Sequence, residues 1–399
     1  MKKILLLGGS RYLIPVIKTA KELGLYVITC DYLPNNIAHK FSDKYVNVSI
    51  IDKEAVLNLA KEEGVSGIMS FACDPGVVTA AYVAEKLGLP SCGSYKSVSI
   101  LQNKAKFREF LKNNGFNVPE ARGYSSYESA MKEINCFRFP VIVKPTDSAG
   151  SKGVMRVDNI TQLKDAIDNA LKFSNRQEFI VEEFIEKKGC SSDSDCFSIN
   201  GKLKFVTFSA QHFDENSKNP YTPAAYTWPS TFEKENEAIL KVELQRLLDL
   251  LEMKTSIYNI ETREDINGVP YIMEVSPRGG GNRLSEMLKY STGIDLIKAT
   301  VKATIGEDLK EFELTNYNGY WAEVILHAQR TGFFKKLIIK EDKNMEIIEK
   351  DLWIKKGDVV KEFTGANETI GTLVLKFKTM EAMDNYMKEI GENVIVEVE

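Results

Sequence analysis

Ile272-Met273-Glu274-Val275-Ser276-Pro277-Arg278-Gly279-Gly280-Gly281-Asn282 is an apolar strand that carries one acid and runs at once into an arginine and a glycine run. A side-chain period of two puts Glu274 and Ser276 on the same face. Upstream, Ser256–Glu261 reads as a second strand, and Asp265-Ile266-Asn267-Gly268 reads as the hairpin turn between the two, because Asn-Gly suits positive φ. The hairpin brings Glu261 and Glu274 together. Paired carboxylates repel unless a cation sits between them. Hard oxygen ligands beside phosphate oxygens are what Mg²⁺ selects. Arg278 can fork onto a phosphate or a carboxylate. A surface hairpin with ordinary acids accounts poorly for this run.

Working outward, Val141-Ile142-Val143-Lys144-Pro145 is an apolar strand ending in a lysine, followed by Thr146-Asp147-Ser148-Ala149-Gly150-Ser151-Lys152-Gly153. A loop of this composition can lay N–H groups and hydroxyls on phosphate oxygens, with Lys144 and Lys152 adding charge. An ordinary hairpin loop is the competing reading. Phe179-Ile180-Val181-Glu182-Glu183-Phe184-Ile185 is a strand that turns acidic at its end. Such an edge offers backbone groups to a purine and a carboxylate to a ribose, and an exposed strand end explains it equally well. Phe232–Leu251 has the stripe Leu240, Leu244, Leu247, Leu248 and Leu251 of a long amphipathic helix.

Before residue 100, short apolar runs (Ile4–Leu7, Tyr26–Cys30, Tyr45–Val48, Gly67–Ser70) alternate with helical patterns (Tyr12–Leu23, Lys53–Glu63, Gly76–Leu87). This alternation predicts a doubly wound parallel sheet. Its first turn, Leu7-Gly8-Gly9-Ser10, lacks the G-x-G-x-x-G fingerprint, which argues against a nicotinamide cofactor although Asp31 ends the second strand. Beyond residue 306, Lys/Glu-rich segments alternate with short strands such as Thr372–Phe377, and Thr379–Glu389 reads as a helix. The expected organisation is a domain at 1–100, a second at 101–305 and a small α+β domain at 306–399.

The chain has 399 residues, 43% hydrophobic and 27% charged, with a net charge of −4. That supports a folded core and offers no basic excess for coating nucleic acid. No apolar run approaches the roughly 18 residues of a membrane span. The apolar stretch after Met1-Lys2-Lys3 is interrupted at Gly8, too early for a secretory leader. A cytoplasmic location is the expectation. Six cysteines without a CxxC pair, and three histidines, point away from a disulfide framework or structural zinc.

Taken in order, these motifs resemble the ATP-grasp superfamily, in its carboxylate–amine ligase and carbamoyl-phosphate-synthase-like branch, and the tail resembles that of L-amino-acid ligases (Lys356-Gly357-Asp358-Val359, Ile370-Gly371-Thr372). The resemblance implies two α+β subdomains clasping ATP at 101–305, with the smaller lid at about 120–185. It implies that Lys104 (behind Asn103) and Lys144 reach the nucleotide phosphates. Ser148, Gly150, Ser151, Lys152 and Gly153 would close over the triphosphate. Glu182, Glu183, Phe184 and Ile185 would form the adenine-contacting strand and linker. Glu261, Glu274 and Ser276 would hold Mg²⁺, with Mn²⁺ as an alternative, and Arg278 would be the catalytic arginine beside the transferred phosphoryl group. Ser276 departs from the family's usual Asn. The ribose carboxylate is open between Glu186 and Asp193.

The implied chemistry activates a substrate carboxylate as an acylphosphate, which an amine then attacks, releasing ADP and phosphate. The partners are then a small-molecule acid and amine, with a homodimer as the family-level expectation and no nucleic acid or membrane. A single-module enzyme using bicarbonate and ammonia is one alternative; a nucleotide-binding module without turnover, suggested by Ser276, is another. His212, Lys218 and Trp228 fall in a polar, Pro-containing stretch, Gln211–Ser230, that either lines an acceptor pocket or forms a surface loop.

Overall fold

The computed structural model describes residues 1–148, 150–310, 312 and 316–399. The first unit runs β1 (Lys3–Leu7), α1 (Ile14–Glu22), β2 (Tyr26–Cys30), β3 (Lys44–Val46), α2 (Lys53–Glu63), β4 (Gly67–Ser70) and α3 (Asp74–Leu87). Its strands pair in parallel in the order β3-β2-β1-β4. The helix α2 begins where the Asp52 side chain accepts from the Ala55 N–H and stops at Gly64, with φ of +60°. Ile4, Leu6 and Val27 pack with α1, and Leu5, Leu7 and Ile28 pack with α2 and α3, so both faces of the sheet are covered. The glycine turn after β1 is filled by protein: a Cβ on Gly9 would lie 2.5 Å from the His39 ring.

Next come α4 (Tyr95–Leu101), α5 (Lys104–Asn113), β5 (Ala121–Tyr124), α6 (Tyr127–Glu133), β6 (Val141–Pro145), β7 (Met155–Val157), α7 (Leu163–Lys172) and β8 (Phe179–Glu183). The strands form an antiparallel sheet, β5-β8-β6-β7, over a core of its own that includes Val141, Val143, Ile167 and Phe179. The chain continues through β9 (Ser192–Ile199), β10 (Lys202–Val206), β11 (Ala210–Phe213), β12 (Pro223–Trp228), α8 (Lys234–Leu250), β13 (Ser256–Glu264), β14 (Pro270–Ser276), α9 (Leu284–Thr292) and α10 (Leu296–Thr304). A second antiparallel sheet, β10-β9-β13-β14, is backed by the leucine stripe of α8. The turn between β13 and β14 takes positive φ at Gly268, with the Asp265 carboxylate accepting from the N–H groups of Asn267 and Val269.

The last segment holds β15 (Tyr320–Leu326), β16 (Gly332–Ile339), β17 (Met345–Leu352), β18 (Val359–Val360), β19 (Gly371–Phe377), α11 (Met380–Lys388), α12 (Ile390–Asn393) and β20 (Val394–Val398). Its larger sheet is ordered β11-β12-β15-β19-β17, so two strands from before residue 305 lie in it. Of the stretch Gln211–Ser230, left open between a pocket lining and a surface loop, a large part lies in this sheet. Pro223–Trp228 is a strand in which Tyr226 and Trp228 enter one core while Ala225 enters another. Trp228 is fully buried, His212 bonds Thr227 at 3.0 Å, and Lys218 pairs at the surface with Glu362. Among the described residues no helix is long and apolar enough to cross a membrane.

Phe197, on the central strand β9, is fully buried in the core shared by the first and middle units. Phe197→Ala is expected to cost about 3–5 kcal/mol, seen as a lowered urea midpoint with unchanged far-ultraviolet circular dichroism at zero denaturant.

Candidate active site

The register of β13 against its two neighbours builds the site. Asp193, Glu261 and Glu274 lie directly opposite one another across β9, β13 and β14, and Asp195, Asn259 and Ser276 form the next row on the same face. Directly opposite residues have Cβ atoms about 4.5–5.5 Å apart, so the first row sets three carboxyls side by side. Burial, followed by the Glu261 charge, pushes the Asp193 carboxyl up to about 7. Burial also lifts Asp195 to about 6, opposed by hydrogen bonds from Ser285 and the Gly280 N–H. The Asn259 amide bridges the rows, donating to Asp193 at 2.7 Å and to Asp195 at 3.3 Å.

Cations reach these acids from other elements. Asn103 caps α5, its side chain accepting from the Lys106 N–H at 3.0 Å. The adjacent Lys104 is aimed by this cap, and its ammonium lies 3.0 Å from Glu274 and 3.2 Å from the Ser148 carbonyl. Burial works against that charge, but Glu274 outweighs it and raises Lys104 above the usual lysine range. Arg278 forks onto Asp74, the first residue of α3, at 2.8 and 2.7 Å, and gives a third bond to the Asn259 carbonyl at 3.0 Å. Asp74 is held below the usual carboxylate range, burial being outweighed by the guanidinium. Glycines are required behind Arg278: a Cβ on Gly279 would lie 2.3 Å from the Phe71 ring, and one on Gly280 2.6 Å from Leu284.

Ser276 lies one row along from the acids, on the same face. Its hydroxyl donates to Asp74 at 2.8 Å and accepts from the Gln102 amide at 2.7 Å. It braces the aspartate that holds Arg278. Glu261 and Glu274, the acids of the expected metal set, are partly exposed on this face, and their hard oxygens would suit a magnesium ion that arrives with phosphates.

On the strand expected to contact adenine, the buried carboxylate of Glu182 accepts from Lys144 at 2.5 Å and from the Arg108 Nε at 3.0 Å. Burial alone would raise its pKa; the Lys144 and Arg108 charges outweigh burial and hold it at about 2. Arg108 also donates to the Met273 carbonyl at 2.7 Å, beside Glu274, and so ties the lid sheet to the acid-bearing strand. Lys144 itself is lowered, first by burial and then by Arg108 and Lys104 against the pull of Glu182.

The glycine loop lies near this group. Gly150, Ser151 and Gly153 all have positive φ, Lys152 is exposed, and the Ser151 hydroxyl donates to the Tyr221 carbonyl at 2.9 Å. Ala149 lies outside the described residues. Past β8, Glu183 pairs with Arg138, Phe184 lies under Arg156, and Ile185 gives its carbonyl to Arg263 at 3.3 Å. Glu183–Glu186 form one wall of a cavity of about 720 Å³, with Asp265, Ile266 and Tyr271 opposite. A second cavity, about 580 Å³, lies against Pro277 and Arg278 between β4, α3 and the start of β13. Lys104 and Arg278 thus stand by the Glu261–Glu274 pair, and Lys144 is joined to them through Glu182 and Arg108. Asp74, Arg108, Asp195 and Asn259 complete the cluster, and the sequence motifs gave none of them a role.

Residues 137–286 match the ATP-grasp domain family. The carbamoyl phosphate synthase large chain of Thermoanaerobacter sp. (strain X514) is 24% identical over 278 residues, covering 68% of this chain and 25% of that one. This chain therefore spans about a quarter of that relative's length. Among solved structures, the L-amino acid ligase from Bacillus licheniformis superposes with a TM-score of 0.81 at 21% identity, covering 100% of this chain and 99% of that one. Phosphoribosylglycinamide synthetase from Anaerococcus prevotii gives 0.76 at 22% identity, with 100% of both chains covered. The chain carries an ATP-grasp domain, and its overall fold is that of these ligases.

Glu182→Gln leaves Lys144 and Arg108 buried against a neutral amide. It is expected to cost about 3–5 kcal/mol, read as a fall in the urea midpoint at pH 7. Because the folded carboxyl sits at about 2, below its ordinary 4.5, its contribution is complete above pH 4.5 and is lost as pH falls toward 2. The wild-type midpoint should therefore fall toward that of the variant across this window.

Proposed function

We propose that the chain is an ATP-dependent carboxylate–amine ligase. The observation that carries this reading is the meeting of Lys104 and Arg278 with the Glu261–Glu274 pair on one sheet face, beside the Lys144-bearing lid strand. Phosphoryl transfer is mostly positioning and charge neutralisation, and this set offers both. Lys104 and Lys144 bind the triphosphate. Magnesium, held by Glu261 and Glu274, would neutralise charge on the phosphates. Arg278, fixed on Asp74 and Asn259, orients the substrate carboxylate for attack on the γ-phosphate. The bond from carboxylate oxygen to phosphorus forms as the bond to ADP breaks. The 148–153 loop covers the resulting acylphosphate and keeps water out until the amine attacks its carbonyl and expels phosphate.

A second reading, bicarbonate and ammonia as substrates, is favoured by the likeness to carbamoyl phosphate synthase, at 24% identity. ADP release separates the two. Under the ligase reading, release from MgATP requires an acid and an amine together and is not driven by bicarbonate with ammonia. Glu274→Gln, which removes an acid shared by the metal and Lys104, is expected to lower this release at least a hundredfold, about 2.7 kcal/mol or more. Release with bicarbonate alone would favour the second reading, and wild-type rates in Glu274→Gln would remove the role given to that acid.

A further inference from the structure

The cavity of about 580 Å³ lies where the first unit meets the acid-bearing sheet. Its volume is that of a small-molecule site, and junctions between units are where such sites form. β4 and α3 supply one wall, the start of β13 with Pro277 and Arg278 another, and the end of α10 a third. Met69, Val77, Met253 and Leu309 make much of the surface apolar. The small side chains of Ala80 and Ala84 on α3 leave the space open. Among the described residues, Lys104, Lys144, Glu261 and Glu274 are not part of the wall. The cavity is therefore separate from the nucleotide site proposed above, and its occupant does not depend on the ligase reading.

The hydroxyls of the wall share one property. Ser70 donates to the Cys73 carbonyl at 2.5 Å, Ser91 to Gly93 at 2.6 Å and Ser256 to Ile257 at 2.8 Å. Thr300 donates to the Leu296 carbonyl at 2.7 Å, Thr304 to Thr300 at 2.9 Å, and Thr255 to the Asn200 side-chain carbonyl at 3.4 Å. A hydroxyl has one proton and two lone pairs. With the protons spent inside the protein, these groups offer a ligand lone pairs and no donors. Arg278 gives its own bonds to Asp74, Asn259 and the Gly279 carbonyl. Burial pushes the Cys92 thiol up to about 11, so it adds no charge. Asn200 and Lys254, which keep protons to give, are exposed, as are Glu307 and Asp308. Acids therefore outnumber the lysine where the cavity meets solvent.

We propose that this cavity binds a neutral, largely apolar molecule that carries one hydrogen-bond donor, of the phenol or indole type. The apolar body covers the walls, and the donor meets a hydroxyl lone pair. A carboxylate or phosphate is refused, because burying an anion without donors is costly and the rim is net negative. The occupant touches α3, the helix that begins with Asp74, together with Pro277 and Arg278. It thereby fastens the first unit to the acid-bearing sheet.

The test is calorimetry and thermal denaturation of the full chain at pH 7 with 1-naphthol, naphthalene and 1-naphthoate. These probes share a ring system and differ in being a neutral donor, a hydrocarbon and an anion. 1-Naphthol should bind at least about tenfold more tightly than 1-naphthoate. It should bind roughly threefold to tenfold more tightly than naphthalene, the worth of one hydrogen bond. Binding should raise the melting temperature, and saturating MgATP should leave the affinity for 1-naphthol unchanged. Ala80→Leu, which fills the space, should lower that affinity at least about tenfold. Ala80→Val should lower it in part and guards against a packing defect in the leucine variant. No binding of 1-naphthol, equal binding of 1-naphthoate or of naphthalene, displacement by MgATP, or an unchanged affinity in both Ala80 variants would each overturn the proposal.

Discussion

Three carboxyls set side by side by strand register cannot all be charged without help, and the architecture around them supplies that help. Asp193, Glu261 and Glu274 occupy adjacent strands. Lys104 arrives from a helix N-terminus and Arg278 from the end of the same sheet, and Arg278 is itself clamped by an aspartate of the first unit. The row is therefore stable only while several parts of the chain meet. Under the proposed reading, it would receive a ligand that brings divalent charge and phosphate oxygens together. Asp193 is pushed up to about 7, first by burial and then by the Glu261 charge.

The lid is tied to this row by one buried ion triad. Glu182 holds Lys144 with one oxygen and Arg108 with the other, and Arg108 reaches the backbone of the strand that bears Glu274. A buried pair of this kind adds little net stability, yet breaking it leaves uncompensated charge. Its effect here is geometric: the lysine expected to meet the triphosphate cannot wander from the sheet that carries the acids.

Much of this was legible in the sequence, and the limits have a physical cause. The parallel unit could be read because each strand is buried on both faces and each helix carries its own signals, such as Asp52 before α2 and Gly64 after it. The acids Glu261 and Glu274 could be read because the hairpin between them is local. Asp195 could not, because its place in the row depends on β9 pairing with β13 across a long stretch of chain. Arg108 and Asp74 belong to no local motif, and only tertiary contacts place Glu182 and Arg278 against them. Gln211–Ser230 reads as a loop because its polar and proline residues mask the alternation of β12, whose burial comes from a sheet built largely by the last segment. Ser276 was legible as a departure, but its partners, Gln102 and Asp74, were not.

The central claim is that the Glu261–Glu274 pair is built to receive a metal-bound triphosphate. Titration of the full chain with ATP by calorimetry, once with Mg²⁺ and once with EDTA, tests it most directly. The account predicts binding at least tenfold tighter with Mg²⁺, because the metal would offset the repulsion between the acid row and the phosphates. Equal affinity in EDTA would contradict it and would mean that the acids serve the sheet rather than the nucleotide.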